Sequence, residues 1–145
     1  MLVRTDYAKA HPQQTQKVVD TLVDAAHWAT DPANRQALFE EFAKSGTPVA
    51  SWQAEFPGDS VSLRLSPLVD DFVKSRYQAV ADQAYQQKLI RREVSVDGWF
   101  DTQYLDKALK AKGLQNEWTA YGADGKTPAA STAQTRAPEV THEPG

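Results

Sequence analysis

Four prolines, Pro12, Pro32, Pro48 and Pro67, each stand at the head of a stretch whose apolar residues recur every three or four positions. Proline suits the first turn of a helix, because its missing N–H had no partner there to lose and its φ is already close to helical. A chain punctuated in this way folds as a succession of amphipathic helices joined by short links. Little of it is left over for a sheet.

The spacing predicts a first helix over Gln13–Thr30, with Val18, Leu22, Ala25, Ala26 and Ala29 as its core-facing stripe. Asp31 can cap the next helix, which runs to about Lys44 and buries Leu38, Phe42 and either Ala37 or Phe39 before Ser45-Gly46 stops it. Thr47-Pro48 opens a short third helix carrying Val49, Trp52 and Phe56, ended by Pro57-Gly58-Asp59. Leu2-Val3-Arg4 and the alternating Val61–Leu65 are the two strand candidates.

Ser66-Pro67 starts what reads as the longest helix, Leu68 to about Leu89, with a broad stripe that includes Phe72, Val73, Tyr77, Val80 and Ala84. At the usual helical rise it would be roughly 33 Å long and would have to pack along its whole length. A last helix, Asp101–Lys112, shows Tyr104, Leu105, Ala108 and Leu109 on one side, with Gly113 just past its end. From Gly122 onward Ala, Thr, Ser, Pro and Gly replace large apolar residues, so the reading divides the chain into a helical segment, 1–121, and a disordered tail, 122–145.

Composition narrows the function classes. Of 145 residues 41% are hydrophobic, enough for a core and too many for disorder throughout. Sixteen Lys and Arg against nineteen Asp and Glu leave a net charge of -3, which excludes affinity built on neutralising the phosphates of a nucleic acid. The start, Met1-Leu2-Val3-Arg4-Thr5-Asp6, lacks the apolar stretch of an export signal, so the chain as given is expected to remain in the cytoplasm. Zero Cys removes disulfides and thiol chemistry.

Catalytic and metal motifs are not found. His11, His27 and His142 are too far apart for a helical metal pair, and Asp24, His27 and Asp31, although on one face, read as a solvated flank. Glu40-Glu41 and Asp70-Asp71 are adjacent on their helices and point about 100° apart, so neither pair shares a substrate. No phosphate loop, nucleophile elbow or dinucleotide fingerprint occurs, and the expectation is no enzyme, no cofactor and no metal. Arg91-Arg92 suits the end of a helix without any ligand. Trp28, Trp52, Trp99 and Trp118 are spread out as packing residues are. Trp52 and Arg64 are the exception, because a planar cation beside an aromatic face can hold a small anion through paired hydrogen bonds.

The order of segments carries a resemblance. Thr5-Asp6-Tyr7-Ala8-Lys9-Ala10-His11-Pro12, Ala25-Ala26-His27-Trp28-Ala29, Arg64-Leu65-Ser66-Pro67-Leu68, Leu89-Ile90-Arg91-Arg92 and Val96-Asp97-Gly98-Trp99-Phe100 resemble, in sequence and spacing, the C-terminal part of solute-binding proteins of ATP-binding-cassette importers, in the group of aliphatic sulfonate, taurine and nitrate receptors. The resemblance covers about Met1–Tyr121. It implies a two-lobed α/β periplasmic receptor that closes on a small sulfonate-like anion and delivers it to a membrane permease.

On that resemblance the chain is expected to be the mostly α, C-terminal portion of such a fold, with one or two short strands at most. It looks like a piece of a longer receptor, a truncated product or one whose start is placed too far downstream, and is not expected to bind solute alone. Arg64 and Trp52 are its ligand-binding candidates. Helical stripes with so few strands to cover should leave apolar surface exposed, which points to self-association. The alternative reading is a small helical protein–protein interaction module.

Overall fold

A computed structural model of the chain describes residues 1–129. Its helices are α1 (Thr5–Ala10), α2 (Pro12–Thr30), α3 (Arg35–Ala43), α4 (Val49–Glu55), α5 (Ser60–Arg64), α6 (Asp71–Gln86) and α7 (Gln103–Lys112), with a 3₁₀ turn, Pro32–Asn34, ahead of α3. Among the described residues the β-structure is a bridge between Tyr121 and Pro128.

Two apolar clusters hold the helices together. The first joins α2 to α7 and the segment after it: Val23, Ala108, Leu109 and Trp118 are buried, with Val19, Ala26, Leu68, Leu105 and Leu114 packed around them. Polar groups fix the same pair of helices. Gln16 Nε2 donates to Tyr104 O at 2.9 Å, Lys112 Nζ pairs with Asp24 at 2.6 Å, and Trp118 Nε1 donates to Thr30 Oγ1 at 3.2 Å. Gly113 ends α7 in the left-handed conformation that glycine adopts without steric cost. The second cluster joins α3, α4 and α5 through Leu38, Phe39, Phe56 and Val61, with Phe42, Val49, Trp52 and Leu65 at its edge.

Several expectations change. The core-facing side of α2 is Val19, Val23 and Ala26, whereas Val18 and Leu22 are 50% and 46% exposed. The two stripes lie side by side on the helix, so periodicity alone could not say which one α7 would cover. On α3, Phe39 is buried and Ala37 exposed. Leu2-Val3-Arg4 forms no strand, and the unexpected helix α1 follows it.

Val61–Arg64 is helical, not extended, and Leu65 follows its last turn. An isolated strand leaves its N–H and C=O groups without partners, while a helical turn satisfies them locally and still sets Val61 and Leu65 on one side, four residues apart. The helix expected over Leu68–Leu89 is shorter, 16 residues, and α2 with 19 is the longest. Asp70 is in an extended conformation and caps α6 by accepting the Val73 N–H, which leaves Leu68 in the preceding link, packed against the first cluster.

Instead of packing along its length, α6 touches no other helix among the described residues and buries none of its own. It is held by links to coil. The Gln78 amide bridges Val94 O and Val96 N–H, each at 2.9 Å, and Tyr77 meets Phe100 edge-on at 5.5 Å. Ser75 Oγ donates to Ala123 O at 3.2 Å.

That last bond involves residues placed in the tail on composition. Residues 122–129 turn back on the chain: Gly122 N–H donates to Thr127 O at 2.9 Å and Ala129 N–H to Ala120 O at 2.8 Å. Asp124 organises the turn by accepting from Lys126 N, Thr127 N and Thr127 Oγ1. Small polar residues therefore make a hairpin through local bonds, with no need of an apolar side. The rest of the expected tail, 130–145, lies outside the described residues.

Candidate functional site

The candidate residues converge on Phe56. Pro48 opens α4, and Pro57 followed by Gly58, at φ +59, turns the chain between α4 and α5. This brings Arg64 back to Glu55, nine residues earlier: Nη1 donates to Glu55 O at 2.8 Å and Nη2 to Glu55 Oε1 at 2.7 Å. The guanidinium carbon stands 4.3 Å from the centre of the Phe56 ring, a cation–π arrangement. Trp52 lies 6.5 Å from Phe56 and 5.2 Å from Phe42, ring centre to ring centre.

Arg64 and Trp52 thus share Phe56 as a common neighbour. Their availability differs from the sequence expectation. Arg64 already has a carboxylate and a carbonyl on its terminal nitrogens, so an anion would have to displace Glu55. Trp52 is a packing residue of the second cluster, and its indole N–H is buried without an acceptor.

A residue the sequence reading passed over lies on the other side of Phe56. Arg35, the first residue of α3, lines a hollow of about 450 Å³ together with Gln36, Phe39, Gln53 and Phe56. Its Nε is buried with no hydrogen-bond partner. The signal that could have found it is positional, since a cation is electrostatically disfavoured in the first turn of a helix.

Two further hollows lie on the described surface. One, about 440 Å³, is rich in hydroxyls from Ser60, Ser62, Ser66 and Thr119, with Asp59 at its edge. The other, about 500 Å³, runs between the starts of α2 and α7 and carries Lys17 and Lys107. Asp24 and His27 do not converge on a shared centre: Asp24 pairs with Lys112, and His27 Nδ1 lies 3.4 Å from Glu117. No group of three or more metal-ligating side chains occurs among the described residues, and no helix there is long and apolar enough to cross a membrane.

Over 83% of its length the chain is similar to the crystal structure of a protein from Methylobacillus flagellatus KT described as the periplasmic sulfonate-binding protein SsuA of a sulfonate ABC transporter, with a TM-score of 0.76 and 25% sequence identity. The chain spans 37% of that protein. No family model matches the sequence, and no curated protein matches it. The fold is thus mostly α, a helical portion of the periplasmic-binding-protein fold, and the protein it resembles is described as a binding component of a transporter.

Proposed function

We propose that this chain is the C-terminal segment of the solute-binding component of an ABC importer for small organosulfonates or similar anions, acting in the periplasm and handing its solute to a membrane permease. The single observation that carries the reading is the likeness to a sulfonate-binding protein over 83% of the chain. The residues agree with a binding role: Arg35 borders one shallow hollow, and Lys17 and Lys107 border another. Arg64 and Trp52 are proposed as solute-facing residues, with Glu55 the internal partner that solute would replace.

A solute gripped between two lobes meets only part of its surroundings here, so the chain alone is not expected to bind it tightly. Inactivating the gene should abolish uptake of labelled alkanesulfonates and leave sulfate uptake intact; unchanged sulfonate uptake overturns the proposal. Calorimetry of the isolated chain with taurine should show no micromolar binding.

The exposed apolar residues of α2 and α6 favour a second reading, a helical interaction module. It predicts unchanged sulfonate uptake and a stable complex formed through Leu22 or Val80.

A further inference from the structure

Two Asp-Gly steps occur in the chain, Asp97-Gly98 and Asp124-Gly125. Such a step carries its own reagents: a side-chain carboxyl carbon, the amide nitrogen of the next residue, and no Cβ on that residue to keep them apart. Attack of the nitrogen on the carboxyl carbon closes a five-membered succinimide and expels one water. Water then adds back at either ring carbonyl. Addition at the side-chain carbon restores aspartate, and addition at the main-chain carbon leaves isoaspartate, in which the backbone runs through Cβ and Cγ. No oxidant, reductant or partner molecule takes part, and the product has the mass of the original.

The fold treats the two steps differently. Around Asp124 both reacting groups are engaged: Oδ1 accepts the Lys126 and Thr127 N–H groups, Oδ2 accepts Thr127 Oγ1, and Gly125 N–H donates to Gly122 O at 2.9 Å. The Phe72 ring stands against Gly125, 2.6 Å from where a Cβ would lie, so the turn has little room to rearrange. The same bonds hold the Asp124 carboxyl at about 2, below its ordinary 3.8, and an ionised carboxylate is a poor target for a nucleophile. At Asp97 neither group is engaged. Asp97 and Gly98 are both exposed, and among the described residues the Asp97 carboxyl accepts no hydrogen bond and the Gly98 N–H finds no acceptor. Gly98, at φ +80, sits in a turn closed only by Trp99 N–H on Val96 O at 3.1 Å.

We infer that Asp97 is a site of spontaneous isoaspartate formation and that the hairpin protects Asp124 from it. The change matters for α6. Isoaspartate puts an extra main-chain atom between residues 97 and 98, in a turn whose two sides both hold that helix. On one side Val94 O and Val96 N–H meet the Gln78 amide, each at 2.9 Å, and on the other Phe100 meets Tyr77 edge-on at 5.5 Å. Because α6 touches no other helix among the described residues, these links carry much of its attachment, and a lengthened turn cannot keep both in register. Conversion at Asp97 therefore loosens α6 from the 94–100 loop and leaves the α2–α7 pair intact. The site is independent of the transport reading, and either stands if the other fails.

The test is to age the intact chain for several weeks in mildly acidic buffer, with a parallel sample in concentrated urea. Isoaspartate is then measured in the tryptic peptides 93–107 and 113–126 by electron-transfer fragmentation, which breaks its Cα–Cβ main-chain bond. In the native sample conversion at Asp97 should exceed that at Asp124 by at least about tenfold, and in urea the two should agree within about twofold, since only folded structure separates them. A native ratio near one, a ratio that urea leaves unchanged, or no native product at Asp97 overturns the inference. Asp97→Glu, whose longer side chain disfavours the ring, should remove the product at this position. The Val96 amide should lose exchange protection in the aged original chain and keep it in aged Asp97→Glu; full Val96 protection in the isoaspartate fraction overturns the link to α6.

Discussion

The Asp70 carboxylate ties Tyr121 to the start of α6: Oδ2 accepts the Tyr121 N–H at 2.8 Å while Oδ1 accepts the Val73 N–H at 2.9 Å. Tyr121 returns the link, its carbonyl accepting the Phe72 N–H at 3.2 Å. One side chain therefore caps a helix and fastens the C-terminal hairpin to it. Asp70→Ala should lower stability by about 1–3 kcal/mol, the sum expected for a lost cap and a lost charge-assisted bond. Asp70→Asn, with a single acceptor oxygen, can serve only one of the two N–H groups and should fall between. Urea unfolding and amide exchange at Tyr121 check both.

The hairpin turn should be acid-sensitive. The bonds from Thr127 Oγ1 and from the Lys126 and Thr127 amides hold Asp124 below its ordinary 3.8, at about 2. A carboxyl whose pKa is lower in the folded state stabilises that state above its unfolded pKa, and the contribution is lost as pH falls through the folded one. The protection factor of the Thr127 amide should therefore fall between about pH 4 and pH 2, and Asp124→Asn should abolish this pH dependence.

Gly125 has no room for a side chain. A Cβ there would lie 2.6 Å from two ring atoms of Phe72, and its φ of +66 is one that L-residues rarely adopt. Gly125→Ala should destabilise the hairpin by about 1–3 kcal/mol, seen as lost protection at Gly122 and Ala129 while the α2–α7 pair keeps its protection.

Leu109 belongs to the cluster between α2 and α7. Leu109→Ala should cost about 2–5 kcal/mol in chemical denaturation, because it leaves a cavity against Val23 and Trp118.

Leu22 and Val80 sit on different, uncovered apolar faces, and Val80 is 64% exposed. Leu22→Lys and Val80→Lys should change stability by no more than about 0.5 kcal/mol, since both lie on the surface and belong to neither apolar cluster. Sedimentation should show the original chain associating with itself and the double variant doing so less; a monomer throughout would argue against these faces as sticky surface.

Local signals explain much of this fold. Pro12 at the first turn of α2, the Asp31 cap, Gly46 after α3 and Gly113 after α7 act over a few residues, and each was readable from its neighbours. Phe56 was likewise assigned to a packed face from spacing alone. Arg64 and Trp52 could be singled out as residue types, but not the carboxylate of Glu55 that engages one or the missing acceptor of the other, because a side chain's partners depend on where the chain returns.

By itself the sequence determined that the chain is a run of capped helices with hardly any strand, since capping and helical hydrogen bonding are settled within a turn or two. Only the tertiary structure decided which of two neighbouring stripes on α2 faces α7, that Val61–Arg64 coils, that α6 meets coil and not another helix, and that Arg35 has no side-chain partner among the described residues. Each of those depends on which distant surface arrives to bury a group or pair with it, and apolar spacing is the same whether or not that surface comes.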